Sequence, residues 1–433
     1  MKELQSLPLY RKIQITQTRI IEWYQHYNGQ VCISFSGGKD STVLLHIARQ
    51  IYPDIPAVFS NTGLEYPEIQ SFVREHENVE IVRPKMRFSE VISQYGYPLI
   101  GKEVAEAIYY ARRIRLPTER ERETQNEHHI QTSGAANRRT VLMGKMPFDT
   151  HTHTQRDANE RNSPENGVAW DALDRRSNQP RTQNRGDETR RRRTDIIGER
   201  GTGVGNEGLS QFNKEKYLPL ARDIPVPISH YCCQVMKKQP LKQFQKQGGL
   251  YPILATLAEE SRVRKQGWIR TGCNAFDGAS PKSQPMSFWT EQDILSYLVK
   301  YDVPIASVYG EIVAFDEDGN EYSPKHTLTD CKLKCTGCER TGCIFCAFGF
   351  HNEKGETRFQ RLAKTHPRQY EYCIGGGQWV DNPHYDPTAP EYDGEWKNWN
   401  PKKIWVPSKD GLGMKKVFDM VNEIYGKDFY RYD

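Results

Sequence analysis

Within the first hundred residues, segments with apolar side chains at helical spacing alternate with short, continuous apolar runs. In residues 12–27 apolar side chains recur at helical spacing, and they are Ile13, Ile15, Ile20, Ile21 and Trp23. A continuous apolar run at 31–35 then predicts a buried strand, and residues 41–48 predict the helix that follows it. Further strands are predicted at 57–60 and 79–82.

Strands that alternate with helices indicate an α/β fold with a doubly wound parallel sheet. In such a sheet, ligands bind beyond the carboxyl ends of the strands. Later in the chain the helical periodicity returns, and it predicts helices at 239–247, 254–266, 291–301 and 415–425. Thr290 and Asp293 predict a capping box at the start of the third of these helices.

A polar stretch separates the two periodic parts of the chain. Residues 111–212 are rich in Arg, Asn, Thr, Gly and Glu and contain four successive arginines at 190–193. Because few apolar anchors occur there, we expect a surface insertion that is largely disordered. The arginine run favours a solvated basic loop, and the alternative is a contact with the phosphates of a nucleic acid.

Composition narrows the class of protein. The chain has 433 residues, enough to bury a sizeable core, and 36% of them are hydrophobic. A formal net charge of +5 fits phosphate-bearing partners without requiring a nucleic acid. No signal-peptide core and no apolar run of membrane-spanning length occur, so we expect a cytoplasmic protein that does not enter a membrane.

Five of the ten cysteines lie between Cys331 and Cys346. In a reducing compartment such crowding indicates metal ligation rather than disulfides. One compact array could hold Zn²⁺ with four thiolates and leave Cys331 as a spare. Its members are Cys335, Cys338, Cys343 and Cys346.

Residues 36–42, with the sequence Ser-Gly-Gly-Lys-Asp-Ser-Thr, lie between the first predicted strand and its helix. Gly37 and Gly38 permit backbone conformations that other residues avoid, so successive N–H groups can point at phosphate oxygens. The helix N-terminus and the charge of Lys39 add to this anion site, and nearby hydroxyls supply further donors. The glycine spacing differs from that of a Walker loop.

This string, in its strand-turn-helix context, resembles the PP-loop of N-type ATP pyrophosphatases and of adenylyl-sulfate reductases. Residues 59–66 resemble the next motif of the sulfonucleotide reductase branch, although many relatives carry Asp where this chain has Asn61. Residues 258–264 follow in the order seen in that branch, where they lie near the nucleotide. We expect Ser261 and Arg264 to share one helix face there and to meet one anion.

The resemblance implies an adenine nucleotide alpha hydrolase-like fold. It implies a nucleotide-binding domain in two parts, 1–110 and 213–330, with a cysteine-rich metal-binding region and C-terminal helices at 331–433. ATP with Mg²⁺, or the sulfonucleotides PAPS or APS, would be the ligand. The implied catalytic residues are Lys39, Asp40 and Ser41. The implied nucleotide-binding residues are Ser34, Ser36, Gly37, Gly38, Lys39, Ser41, Thr42, Asn61, Thr62, Gly63, Glu65, Ser261 and Arg264.

The cysteines carry a second resemblance. The pair Cys232 and Cys233, with the distant Cys343 and Cys346, resembles the ligand set of the 4Fe-4S cluster in adenylyl-sulfate reductases. This grouping competes with the zinc array for the last two thiols. Cys32 is expected to pack in the core, as part of the first strand.

The reaction stays open between three interpretations. Sulfonucleotide reductases attack their substrate with a cysteine near the C-terminus, but the last cysteine here is Cys373. A reductase would therefore need Cys373, Cys331, Cys335 or Cys338 as its nucleophile. We favour ATP-dependent sulfur transfer, as in the DNA phosphorothioation sulfurtransferase and tRNA thiolation enzymes. The expected partners are a sulfur-donor protein and, through the arginine-rich insertion, a nucleic acid. The alternatives are a PAPS or APS reductase and a non-catalytic nucleotide-binding regulator.

Overall fold

A computed structural model describes residues 2–113, 214–277, 280–316, 319–324, 332–390, 392 and 399–433. The predicted insertion, with its arginine run, and Cys331 lie outside this part of the chain apart from the first residues of the insertion. One compact unit contains Met1–Tyr109 together with Pro219–Asp433. A second unit spans Tyr110–Leu218, of which only the two ends are described.

The described helices are named here in chain order. They are α1 (Lys2–Gln5), α2 (Leu9–His26), α3 (Lys39–Ile51), α4 (Pro67–Arg74), α5 (Phe88–Tyr95), α6 (Lys102–Arg113), α7 (Leu218–Asp223), α8 (Gln239–Gly248), α9 (Arg262–Thr271), α10 (Glu291–Lys300), α11 (Arg358–Thr365), α12 (Pro367–Ile374) and α13 (Met414–Tyr425). Short 3₁₀ helices occur at Lys214–Tyr217, Ala258–Glu260, Ser307–Tyr309 and Phe350–Asn352, and one π-helical turn occurs at Gln234–Lys238. None of the helices within the described ranges is long and apolar enough to cross a membrane.

The strands follow the same convention. They are β1 (Val31–Ser34), β2 (Ala57–Ser60), β3 (Val79–Val82), β4 (Leu99–Ile100), β5 (Tyr251–Leu254), β6 (Asn274–Ala275), β7 (Lys282–Ser283), β8 (Ile312–Phe315), β9 (Glu321–Tyr322), β10 (Lys332–Cys335), β11 (Ala347–Phe348), β12 (Gln378–Asp381) and β13 (Lys403–Val406).

The central sheet has six strands in the order β3-β2-β1-β5-β7-β6. All neighbours pair in parallel except β6 and β7, which are antiparallel. The predicted mostly parallel α/β sheet is therefore confirmed. From β1 the chain first builds outward through β2 and β3 and later continues on the other side at β5. Strand order thus reverses beside β1, which is where doubly wound folds place their ligands.

The centre of the sheet is fully buried. Val31, Cys32 and Ile33 have no exposed surface, which confirms the core position expected for Cys32. Helices α2, α3 and α10 pack against one another, while α8 packs against β2 and β3. The short pairing of β11 with β4 ties the region after the cysteines to the N-terminal half of the unit.

The predicted helix at 254–266 is wrong in its first part. Residues Tyr251–Leu254 form β5, the next strand after β1 in the sheet, and the helix begins only at Arg262. Ser261 therefore lies outside α9, and its Oγ caps the helix by accepting the backbone N–H of Arg264 at 3.2 Å. The expected shared helix face of Ser261 and Arg264 is wrong for the same reason. Tertiary pairing with β1 outweighs the helical pattern of this segment.

A buried ion pair joins α2 to the start of α10. Lys12 is 2% exposed, and its Nζ donates to Asp293 Oδ1 and Oδ2 at 2.8 and 2.6 Å. Asp293 also accepts the backbone N–H of Thr290 at 2.7 Å, and Thr290 Oγ1 accepts the N–H of Asp293, so the predicted capping box is confirmed. One carboxylate thus starts α10 and neutralises an ammonium group on α2.

Replacing Asp293 by Ala is expected to destabilise the fold by about 3–5 kcal/mol, because it leaves the Lys12 charge buried and unpaired. Glu22→Ala is the matched control, since its ion pair with Arg19 is exposed and is worth less than about 1 kcal/mol. Urea unfolding of both variants measures the two costs. Equal losses for the two variants would show that the buried pair has no special weight.

Candidate active site

The phosphate loop leaves β1 through a left-handed glycine. Gly37 has φ +70°, and a Cβ placed there would lie 2.8 Å from methyl groups of Ile69 and Val73 on α4. The helix α3 begins two residues later, with Gly38 as its N-cap and no side-chain cap. The turn therefore needs glycine for two reasons, backbone conformation and lack of space.

The predicted hydroxyl donors of the loop hold its shape. Ser41 Oγ accepts the backbone N–H of Ser36 at 3.1 Å and donates to the Gly38 carbonyl at 2.9 Å. Ser36 Oγ accepts the N–H of Gly38 at 3.3 Å, and Thr42 Oγ1 donates to the Gly38 carbonyl at 3.0 Å. By contrast, the buried hydroxyl of Ser34 has no hydrogen-bond partner among the described residues.

Lys39 is 6% exposed and lies at the centre of a polar cluster. Its Nζ donates to Glu291 Oε1 at 2.9 Å and lies 5.4 Å from the centre of the Tyr309 ring. It also contacts the Cys335 thiol: burial raises the pKa of Cys335, and the Lys39 charge and hydrogen bond oppose that rise. Burial raises the pKa of Tyr309 to about 12, so its hydroxyl stays protonated and shares a 2.5 Å hydrogen bond with Thr341.

Two arginines approach the loop from later parts of the chain. Burial raises the pKa of Asp40, and the charges of Lys39, Arg340 and Arg264 oppose that rise. Burial also lowers the pKa of Arg264, as does the neighbouring Arg340 charge. Both guanidinium groups pair with Glu260, Arg340 at 3.5 Å. The loop thus faces three cations in partly desolvated surroundings, which favours an anionic ligand.

The second motif turns back on itself at the end of β2. Glu65 is buried, and its carboxylate accepts the backbone N–H of Thr62 at 3.0 Å and the Thr62 hydroxyl at 2.8 Å. Asn61 Oδ1 accepts the N–H of Gly63 at 3.1 Å. Lys237 Nζ lies 3.7 Å from Glu65 and also interacts with Cys343 and Cys233. The turn therefore connects the carboxyl end of β2, through Lys237, with Cys343 and Cys233.

The four cysteines predicted as cluster ligands lie close enough to influence one another's pKa, but among the described residues they do not form a group that could hold a metal ion. The Sγ atoms of Cys232 and Cys233 are 4.0 Å apart. The hydrogen bond between them, followed by burial, raises the pKa of Cys232, and nearby Cys346 and Cys343 raise it further. The pKa of Cys233 is lowered to about 6 by the hydrogen bond from Cys232 and by the charges of Lys102 and Lys237. Burial raises the pKa of Cys343 to about 12, and it raises that of Cys346.

Two members of the alternative zinc array, Cys335 and Cys338, have different neighbours in the structure. Cys335 lies beside Lys39 at the phosphate loop, whereas Cys338 interacts with Tyr66 and Arg361. A single tetrahedral Zn²⁺ with Zn–S bonds of about 2.3 Å would need all four sulfurs about 3.8 Å apart. Within the described ranges no group of three or more His, Cys, Asp or Glu side chains has an arrangement that could hold a metal ion.

Cys373 does not serve as a substitute nucleophile. It is fully buried, and its Sγ lies 3.3 Å from Met414 Sδ. Burial raises the pKa of its thiol well above the usual value, which suppresses the reactive thiolate. Among the alternatives named from the sequence, Cys335 is the described thiol that adjoins the phosphate loop.

The sequence analysis missed three members of this site, namely Glu291, Tyr309 and Arg340. Their chain positions lie far from residues 36–42, so no local pattern linked them to the loop. Glu291 follows the N-cap Thr290, which could have marked it as a residue at a helix start. Arg340 lies three residues before Cys343, in the approach to the cysteines, and like Tyr309 it was part of the family resemblance without a predicted role in the site.

Gly37→Ala should cost about 1–3 kcal/mol more stability than Gly63→Ala, because the added methyl group must displace β-branched side chains. Gly63 is a matched control: its φ is +74°, yet a Cβ there meets nothing within 4 Å. Thermal or urea unfolding of the two variants measures the difference. If both variants lose the same stability, the close packing of Gly37 against α4 does not constrain the loop.

Sequence comparisons with known proteins match the part of the chain that contains the phosphate loop and the second motif. Residues 30–101 match the phosphoadenosine phosphosulfate reductase domain. The chain is 31% identical to the phosphoadenosine 5'-phosphosulfate reductase of Proteus mirabilis over 83 residues, which is 18% of this chain and 34% of that enzyme. It is 31% identical to the adenosine 5'-phosphosulfate reductase of Staphylococcus haemolyticus over 103 residues, 22% of this chain and 42% of that enzyme.

An uncharacterized protein of Methanocaldococcus jannaschii is 30% identical over 81 residues, 18% of this chain and 20% of that protein. The chain thus covers less than half the length of each of these relatives. The matched domain contains β1, the whole phosphate loop and the second motif. These matches support a relationship of this segment with the PAPS reductase-like family.

Proposed function

We propose that this protein binds an adenine nucleotide at residues 36–42 and uses it for adenylation-coupled sulfur transfer. The observation that carries the proposal is the position of the Cys335 thiol beside Lys39, at the loop that would hold the phosphates. Sulfur chemistry at an adenylyl nucleotide needs a thiol or persulfide close to the phosphates, and a nucleotide-binding regulator does not. The comparisons support a PAPS or APS reductase equally well, and that reaction remains the second candidate.

Nucleotide binding is supported by the charges that converge on the loop. Lys39 is paired with Glu291, a partly exposed carboxylate that phosphate oxygens could replace. Arg264 and Arg340 lie at the same place, beside Asp40. The partnerless Ser34 hydroxyl offers one more hydrogen bond at the end of β1. ATP with Mg²⁺ would suit this set for sulfur transfer, and PAPS or APS would suit it for reduction.

The proposed reaction has two steps. An oxygen of the acceptor attacks the α-phosphorus of ATP and pyrophosphate leaves, with Lys39 stabilising the charge on the leaving group. Mg²⁺ bound together with ATP would add to that charge stabilisation. Sulfur carried by Cys335 as a persulfide then attacks the activated carbon of the acceptor, and AMP leaves with its bonding electron pair. A sulfur-donor protein would load Cys335, and an external thiol would reduce the resulting disulfide. The enzyme contributes mainly position and charge stabilisation.

Cys232, Cys233, Cys343 and Cys346 are the residues that would hold a 4Fe-4S cluster. Their mutual electrostatic influence and the nearby lysines fit thiolate ligands. Such a cluster would supply redox or sulfur-binding chemistry next to the second motif. The separation of Cys335 and Cys338 from these four disfavours the alternative Zn²⁺ array. The acceptor, which we propose to be a nucleic acid contacted through residues 111–212, and the sulfur donor are part of the same proposal.

Lys39→Ala should lower the rate of pyrophosphate or sulfite release about 10²- to 10³-fold, because it removes a preorganised charge from the transferring phosphate. The assay supplies ATP with candidate acceptors in one arm, and PAPS or APS with a thiol reductant in the other. Pyrophosphate release identifies the transferase and sulfite release identifies the reductase. Nucleotide binding without either product would favour the regulator instead.

Cys335→Ser should abolish the sulfur-containing product or sulfite, while ATP affinity changes little, since the thiol acts only in the sulfur step. Cys273→Ser is the control, because this half-buried thiol accepts a hydrogen bond from Trp268 and was not found beside Lys39. Product formation and nucleotide affinity are measured on both variants. Undiminished product from Cys335→Ser would remove this thiol from the mechanism.

Cys233→Ser should remove the iron and sulfide that co-purify with the protein under anaerobic conditions, whereas Cys338→Ser should retain them. The two variants separate the cluster from the zinc array, because each cysteine belongs to only one of the two sets. Metal and acid-labile sulfide analysis and visible absorption are the measurements. Zinc that is lost with Cys338→Ser and kept with Cys233→Ser would reverse the assignment.

A further inference from the structure

A cavity lies on a different face of α4 from the one that packs on the phosphate loop. Gly37 packs against Ile69 and Val73 of that helix, while Pro67 and Gln70 line the cavity. Its volume is 320 Å³, within the range of about 300–1,000 Å³ that small-molecule sites occupy. The remaining walls are the turn at residues 63–65, the loop between Cys343 and Cys346, and the start of α12.

An aromatic platform forms one wall. Tyr372 is 39% exposed, and its ring centre lies 6.1 Å from that of the buried Phe345. Both residues line the cavity. An exposed tyrosine whose ring is tilted by 46° against a second ring offers a planar surface on which a base can stack at little cost in side-chain entropy.

The polar lining favours a negative charge. Arg368 is exposed and forms no ion pair or hydrogen bond with the side chains that the structure describes. Glu65, the carboxylate among the described residues that line the cavity, is already paired with Lys237 at 3.7 Å. The free charge in the cavity is therefore a guanidinium group, whose planar donors suit a phosphate.

The first turns of two helices line the same cavity. Pro67 begins α4, and Arg368 and Gln369 lie in the first turn of α12. Both helices begin with a proline, and the N–H groups of Ile69 and Gln70 donate to the Tyr66 carbonyl at 3.0 and 3.2 Å. Among the described residues, the first-turn N–H groups left for a ligand are those of Glu68, Arg368 and Gln369. The side-chain amides of Gln70 and Gln369 add hydrogen-bonding groups that can meet the edge of a base.

We propose that this cavity binds one nucleotide unit, with the base stacked on Tyr372 and the phosphate held by Arg368 and the helix starts. The unit is either a free mononucleotide or part of a single-stranded nucleic acid, and both present the same base and phosphate. Binding here does not depend on the phosphate loop. The further proposal that this cavity is the acceptor site rests on the proposed sulfur transfer. Phe345, which lines the cavity, lies in the chain between Cys343 and Cys346, two of the proposed cluster ligands.

The test titrates the full-length protein with AMP in one arm and with a short single-stranded oligonucleotide in the other, by calorimetry. Tyr372→Ala should weaken binding about 5- to 150-fold, the range expected for loss of one base–aromatic stack. Tyr372→Phe keeps the ring and should restore most of the affinity. Arg368→Gln should weaken binding and reduce its dependence on salt.

Tyr322→Ala is the matched control, because Tyr322 is 40% exposed and is not among the cavity residues. Equal affinity for both ligands identifies the free nucleotide, and binding of the oligonucleotide alone identifies a nucleic acid. Either result upholds the site if the Tyr372 and Arg368 variants are weakened. Failure of both ligands to bind, or wild-type affinity in those variants, overturns it. Loss of ATP binding in Lys39→Ala reports on the phosphate loop separately.

Discussion

The left-handed turn at Gly37 is the constraint on which the site depends. It lets a fully buried strand end and a helix begin within four residues, while α4 packs directly on the turn. Because no side chain fits at Gly37, only glycine permits this turn, within which the backbone N–H groups of Ser36 and Gly38 donate to the Ser41 and Ser36 hydroxyls. The hydroxyls of Ser36 and Ser41 then stabilise that shape from within. The loop is thus preorganised before any phosphate arrives.

The cations around the phosphate loop are paired with carboxylates, and an anionic ligand can displace those carboxylates. Lys39 is held by Glu291, and Arg264 and Arg340 share Glu260. Lys39 is buried and keeps a carboxylate partner, whereas the side chains of Arg264 and Arg340 pair with Glu260 while they remain 44% and 62% exposed. An anionic ligand can exchange with these carboxylates at a small cost, whereas a neutral ligand cannot.

The second motif links the sheet to the cysteines. Glu65 closes its own turn through Thr62 and reaches Lys237, which in turn interacts with Cys343 and Cys233. A conformational change at either end would alter the electrostatic surroundings of the other. The cavity beside α12 is lined by Ile344 and Phe345, which follow Cys343 in the chain. The second motif, Cys343 and the cavity therefore lie near the carboxyl end of β2 and helix α4.

Local patterns in the sequence determined the parts that contiguous residues control. They predicted β1, β2 and β3, the helix after the glycines and the capping box at Thr290, because periodicity and capping act within a few residues. Only the tertiary structure decided that 251–254 is a strand, since its pairing partner β1 lies more than two hundred residues away. It also decided that Cys335 lies beside Lys39. Those outcomes depend on long-range packing, which leaves no periodic trace along the chain.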